Sequence, residues 1–157
     1  MNIFMKNHFI EELNRVINHY ACNSNLFNGG CCYSAYLLAK YLNKMGISYK
    51  TVIFQYNDIL NETDFNNAIN GRGVSHVAIE VTYKFKKMLI GNCEGIYNYF
   101  KNTGEEFKIR KYKNINPEEI LEGYRNNDWN WKYDTHCNGP LSRDIKKVYL
   151  KFTEIQR

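Results

Sequence analysis

Apolar residues recur along the chain with two different periods, and the switches between them mark out the elements. Over residues 7–20, Phe9, Leu13, Val16, Ile17 and Tyr20 return at three- and four-residue steps, which predicts an amphipathic helix. Residues 22–30, CNSNLFNGG, carry no period and read as loop. Helical spacing resumes from Cys31 to Met45: Ala35, Leu38 and Leu42 form one stripe, Ala39 lies beside it, and Gly46 stands just past the expected helix end. SYKTVIFQY, residues 48–56, is β-branched and aromatic and predicts a strand. Residues 57–73 are polar, rich in Asn and broken at Gly71 and Gly73, so they read as turns. Residues 74–82, VSHVAIEVT, alternate strictly, and KKMLIGN, residues 86–92, is a short partner strand for a hairpin. EEFKIRKY, residues 105–112, predicts a further strand. Asn116, Pro117 and Glu119 spell a helix start (cap, proline at the first position, acid at the third) for a helix running to about Arg125. In residues 143–155, Ile145, Val148, Phe152 and Ile155 fit a helix while VYLKF alternates like a strand; the helical reading is preferred.

This order predicts an α+β fold in which the helix opening at Cys31 packs on an antiparallel sheet of about four strands. A length of 157 residues, with 44% hydrophobic residues and no internal repeat, predicts a single domain over 1–157 with a core large enough to dispense with disulfides. The opening stretch has no apolar core or cleavage site of a signal peptide. No run reaches the roughly 18 apolar residues of a membrane span, so no membrane partner is expected. Five cysteines, odd in number and irregularly spaced, then read as free thiols in a reducing compartment, with no disulfide even between Cys31 and Cys32. The expected location is the cytoplasm, or the host cytoplasm if the source is viral; the abundance of Asn, Ile, Lys and Tyr suits an AT-rich bacterial or viral genome. Net charge is a mild +5, and the densest basic group, Lys108, Arg110, Lys111 and Lys113, reads as a solvated strand face rather than a nucleic-acid surface.

The candidate chemistry lies where the second helix begins. A thiol becomes a strong nucleophile as a thiolate, and the unpaired N–H groups and dipole of a helix start favour that negative charge. A neighbouring His takes the proton, and a carboxylate or amide orients the His. Cys31 and Cys32 open a helix, His76 lies on an alternating strand, and Asn92 ends the next strand, so the three roles fall in order along the chain. Alternation puts His76, Ala78 and Glu80 on one face of that strand, with Val77, Ile79 and Val81 on the other. Adjacent helical residues point about 100° apart, so only one of the two thiols is expected to face His76. Backbone N–H groups at the helix start would bind the oxyanion of an acyl transfer, with Asn25 or Asn28 as candidate side-chain donors.

These motifs give the chain a resemblance to the transglutaminase-like branch of the papain-like cysteine enzymes. Gly29–Gly30–Cys31 is followed by Ala35, Leu38, Leu42 and Gly46–Ile47, as in the Cys helix of that group. His76–Val77–Ala78–Ile79–Glu80–Val81 is similar to its His strand, with Ala78 where a Trp is common. Asn92 stands where that branch usually has Asp and where papain-like enzymes have Asn. The resemblance spans roughly residues 28–95 and implies a papain-like core, a Cys31–His76–Asn92 triad and no cofactor. It implies cysteine-dependent acyl transfer or hydrolysis at an amide bond of a peptide or protein substrate. The register to Gly46 favours Cys31 as nucleophile; Cys32 is the alternative, because Gly-Gly-x-Cys spacing occurs in arylamine N-acetyltransferases and Tyr33 stands where papain-like enzymes carry Trp.

Rival readings attach to the same residues. Free cysteines are commonly small buried hydrophobes. A metal site finds potential ligands in Cys31, Cys32, Cys93, Cys137, His76 and His136, but no Cys-x-x-Cys pair, so no metal is expected. Trp129 and Trp131 would either shape a substrate groove or plug the core beneath a long loop. The same fold with a displaced triad would serve as an inactive binding or structural module, for instance in a phage particle.

Overall fold

The computed structural model describes residues 1–21, 31–56, 63–70, 74–91, 102–103, 107–125 and 140–155. Their main elements are α1 (Ile3–Ala21), α2 (Cys31–Lys44), β1 (Lys50–Tyr56), α3 (Phe65–Asn70), β2 (Val74–Tyr83), β3 (Lys86–Ile90), β4 (Phe107–Lys113), α4 (Pro117–Arg125) and α5 (Pro140–Ile155). The strands form one antiparallel sheet in the order β3-β2-β1-β4. The result is the mixed α+β architecture that the alternating periods predict, with four strands.

The two halves of the strand alternation face different surroundings. Ile53, Val77, Ile79, Val81 and Ile90 join the main core with the helices, whereas Val52, Phe54 and Ala78 form a small separate cluster on the far face. On the helix side, α2 packs against β2, and nine of its fourteen residues are buried, which makes it the central helix rather than a half-exposed one. Leu38 and Leu42 are fully buried, and each contributes about 2–3 kcal/mol relative to exposure. Gly46, at φ 70°, ends the helix: Ile47 N–H donates to the Leu42 carbonyl at 2.9 Å and Gly46 N–H to that of Asn43 at 3.1 Å, the paired bonds of a Schellman cap. Outside α2, α1 and α5 pack together, with the Phe9 and Phe152 rings edge to face at 5.3 Å.

Three boundaries differ from the sequence reading. The polar stretch 57–73 contains α3, capped by Asp64, whose Oδ1 accepts from the Asn67 N–H at 3.2 Å. Its apolar residues Phe65, Ala68 and Ile69 are all buried, but one turn and a half is too short to show a period. β3 ends at Ile90, two residues before the expected strand end, and Gly91 turns away at φ 127°. The last element is α5, a helix starting at Pro140, because Leu141, Ile145, Val148 and Phe152 all bury one face. The start of α4 matches its sequence signature: Asn116 Oδ1 accepts from the Glu118 N–H at 3.0 Å. No helix of the described residues is long and apolar enough to cross a membrane.

Candidate active site

The first residue of α2 is Cys31, so it stands in the helical turn whose N–H groups lack intrahelical partners. Packing of Ala35, Leu38 and Leu42 against the sheet fixes the direction of this helix and points its start at one end of β2. That end is built in an irregular way. Phe54 pairs with His76, but Gln55 pairs with Val74, so Ser75 is an extra residue on β2 and the strand bulges beside the imidazole. On the other side, β3 pairs with β2 only from Ile79 onward, because it stops at Ile90. Among the described residues no strand therefore pairs with β2 on that side at Val77.

Cys31 takes that edge. The Val77 N–H donates to its sulfur, and the His76 imidazole lies within interaction range of it. Helix-side sulfur and far-face imidazole meet because the strand that would separate them has ended. The Cys31 thiol is held well below the ordinary thiol range, first by the hydrogen bond from the Cys32 thiol and then by His76 and the Val77 N–H, against the opposing effect of burial. Cys32 shifts the other way, because it is the donor to Cys31 and is buried beside it. The two thiols thus converge on each other although their helical directions diverge. His76 acts on Cys31 and not on Cys32. Both cysteines are free thiols.

The imidazole is held from three sides. It is only 6% exposed, and its ring lies 5.7 Å from that of Phe54, its cross-strand neighbour. Its Nε2 is hydrogen-bonded to the Gly91 carbonyl. A carbonyl only accepts, so Nε2 carries a proton and the neutral ring has Nδ1 unprotonated. Gly91 can take this position because its φ of 127° disfavours any side chain; the space beside Ala78 would itself admit a Cβ, at 3.4 Å from the Ala78 Cβ.

Sequence reasoning brings Cys31, Cys32 and His76 together, and the structure places all three at one site. Asn25, Asn28, Asn92, Trp129 and Trp131, and with them Cys93, His136 and Cys137, lie outside the described residues. The groups that sequence reasoning missed are the Gly91 carbonyl, the Val77 N–H and the Phe54 ring. Two are backbone atoms with no residue-type signature, and the third depends on which strands pair. Glu80, four residues from His76 on the same face, is about 13 Å further along the strand and does not orient the ring. It is buried and paired with Lys111 at 2.5 Å and Lys50 at 4.0 Å. Lys111 reaches Glu80 while staying exposed, as Lys108 and Lys113 are, in keeping with the solvated strand face expected for the basic group on β4. Among the described residues no group of three or more His, Cys, Asp or Glu is arranged to hold a metal ion.

Comparison with protein-family models, with curated proteins and with solved structures returns no match.

Proposed function

We propose that the chain is a cysteine-dependent enzyme of papain-like or transglutaminase-like fold that acts at an amide bond, by hydrolysis or by acyl transfer. The observation that carries this reading is the contact between Cys31, at a helix start, and a buried imidazole whose Nε2 is already bonded to the Gly91 carbonyl. In this reading the Cys31 thiolate attacks the carbonyl carbon, and the displaced electron pair on oxygen is bound by N–H groups of the first turn of α2. As the C–N bond breaks, protonated Nδ1 of His76 gives its proton to the leaving nitrogen. The neutral ring then takes a proton from water or from an acceptor amine, which attacks the thioester and returns Cys31 to the thiolate. Asn92 is assigned to hold the imidazole together with the Gly91 carbonyl. The substrate is a peptide or a protein side chain, no cofactor takes part, and the site of action is the cytoplasm.

Alkylation by iodoacetamide as a function of pH tests the reading. The native chain is expected to be labelled at about pH 6, where an ordinary thiol is almost unreactive. Cys31→Ser should abolish that labelling and leave the fold intact, and Cys32→Ser should retain most of it. His76→Ala should move the labelling profile to higher pH, because the thiolate loses its imidazolium partner. The burial of both His76 and Cys32, each 6% exposed, favours one rival, an inactive module of the same fold. Absence of labelling at about pH 6, or labelling indifferent to Cys31→Ser and Cys32→Ser alike, would select that rival.

A further inference from the structure

At the opposite end of β2 from the thiol site, the β2–β3 hairpin turns through Lys84 and Phe85 with φ 48° and 65°. Two successive positive φ values are the geometry of a type I′ turn, for which Asn-Gly is the favoured sequence. A bulky aromatic in that region is strained, and strained backbone of this kind clusters at functional sites. Packing does not select Phe85, which is 85% exposed.

The start of α1 carries a second exposed aromatic, Phe4, toward the same end of the molecule. Tyr83 is hydrogen-bonded to Glu11, and the Lys84 N–H donates to Asn7 Oδ1 at 3.3 Å. The turn therefore climbs α1 toward its N-terminus, from Glu11 to Asn7, by about 6 Å. Phe4 lies three residues further on the same helical face, about 4.5 Å beyond Asn7, and is 76% exposed. Lys84 and Lys86 flank Phe85 in the turn, and Lys87 follows at the exposed start of β3, on the sheet face turned away from α1. Glu11, beside the turn, is engaged by Tyr83 and by Lys84, whose Nζ is 3.8 Å away.

We propose that this tip, Phe85 beside Lys84, Lys86 and Lys87 with Phe4 toward the same end of the molecule, is a docking surface for an anionic lipid membrane. Aromatic side chains at the level of the headgroups, with lysines meeting the lipid charge, are the chemistry of interfacial binding. Both rings project rather than line a groove, which suits a deformable lipid surface. Protein–protein interfaces are depleted in Lys and enriched in Arg, and this group holds no Arg. A two-fold contact between copies would set the lysines against each other. The sequence-based expectation of no membrane partner tests only for spanning segments and does not bear on a tip of this kind. Docking here leaves the thiol site about 23 Å further along β2, at the other end of the sheet.

Flotation of the whole chain with vesicles tests the proposal. The native chain should float with vesicles of phosphatidylcholine mixed with phosphatidylserine, and much less with phosphatidylcholine alone. Phe85→Gly should weaken that binding about tenfold. It should also raise the melting temperature, since glycine takes the turn geometry without strain. Lys86→Glu combined with Lys87→Glu should remove the preference for phosphatidylserine. None of these changes should alter alkylation of Cys31, so failure here is separate from failure of the enzyme reading. Three results would overturn the proposal: no flotation with phosphatidylserine vesicles, flotation unchanged by Phe85→Gly, or a dimer that Phe85→Gly dissociates while vesicles are ignored.

Discussion

The two faces of the sheet do different work with the same strands. Toward the helices, β1, β2 and β3 present Ile53, Val77, Ile79, Val81 and Ile90 to one continuous core. The polar side chains buried there, Thr51 and Gln55, are uncharged, and Gln55 donates to the Ala68 carbonyl at 3.4 Å. Among the described residues the far face has Val52, Phe54 and Ala78 as its buried apolar cluster, with Leu89 packed against it, and it carries the two titratable side chains that β2 buries, His76 and Glu80. Each is held by named partners: the Gly91 carbonyl and Phe54 for the first, Lys50 and Lys111 for the second. Stability is concentrated on one side of β2 and ionisable chemistry on the other. Cys31 links them only because β3 ends early enough for a helix-side sulfur to reach a far-face ring.

The largest effect that sharpens this contrast is expected from Ile79→Ala. The side chain is fully buried in the main core, and its loss should cost about 3 kcal/mol in urea unfolding. Glu80→Ala, one residue away on the other face, should cost less, about 1–2 kcal/mol. The partly exposed Lys50 and Lys111 can turn to water once the carboxylate is gone, so no unpaired charge stays buried. Equal losses for the two variants would break the division between the faces. The smallest effect concerns a polar contact at the rim of the helix layer, where the Tyr20 hydroxyl donates to Asp144 at 2.5 Å. Tyr20→Phe should cost about 1 kcal/mol near neutral pH. Burial, reinforced by Asp144, pushes the Tyr20 phenol from 10.0 up to about 12. The folded state therefore favours the protonated phenol. Its contribution is fully present below pH 10.0 and is lost as pH rises from there to about 12. Melting temperature should fall over that window in the native chain and fall less in Tyr20→Phe. Identical alkaline profiles would remove Tyr20 from this role.

Much of the fold was legible because its periods are long and clean. α2 begins at Cys31 and closes at Gly46, as its spacing and its glycine predict. β2 shows strict alternation, and its two faces separate in the structure as they do in the sequence. The cap at Asn116 is a local interaction and is written locally. α3 was not legible, because six residues do not establish a period.

For the site, the sequence by itself determined the residue types and their elements: two thiols at a helix start and an imidazole on an alternating strand. Local propensity and side-chain direction fix those features, and they do not need the rest of the chain. Only the tertiary structure decided which thiol meets the imidazole, and what holds the ring. That depended on the order β3-β2-β1-β4, on the extra residue at Ser75 and on the end of β3 at Ile90. These are properties of strand pairing between segments far apart in sequence, and backbone hydrogen bonds carry them. The Val77 N–H and the Gly91 carbonyl exist in every polypeptide, so no choice of side chain announces them, and they acquire a role only when packing brings α2 to the edge of β2 at Val77.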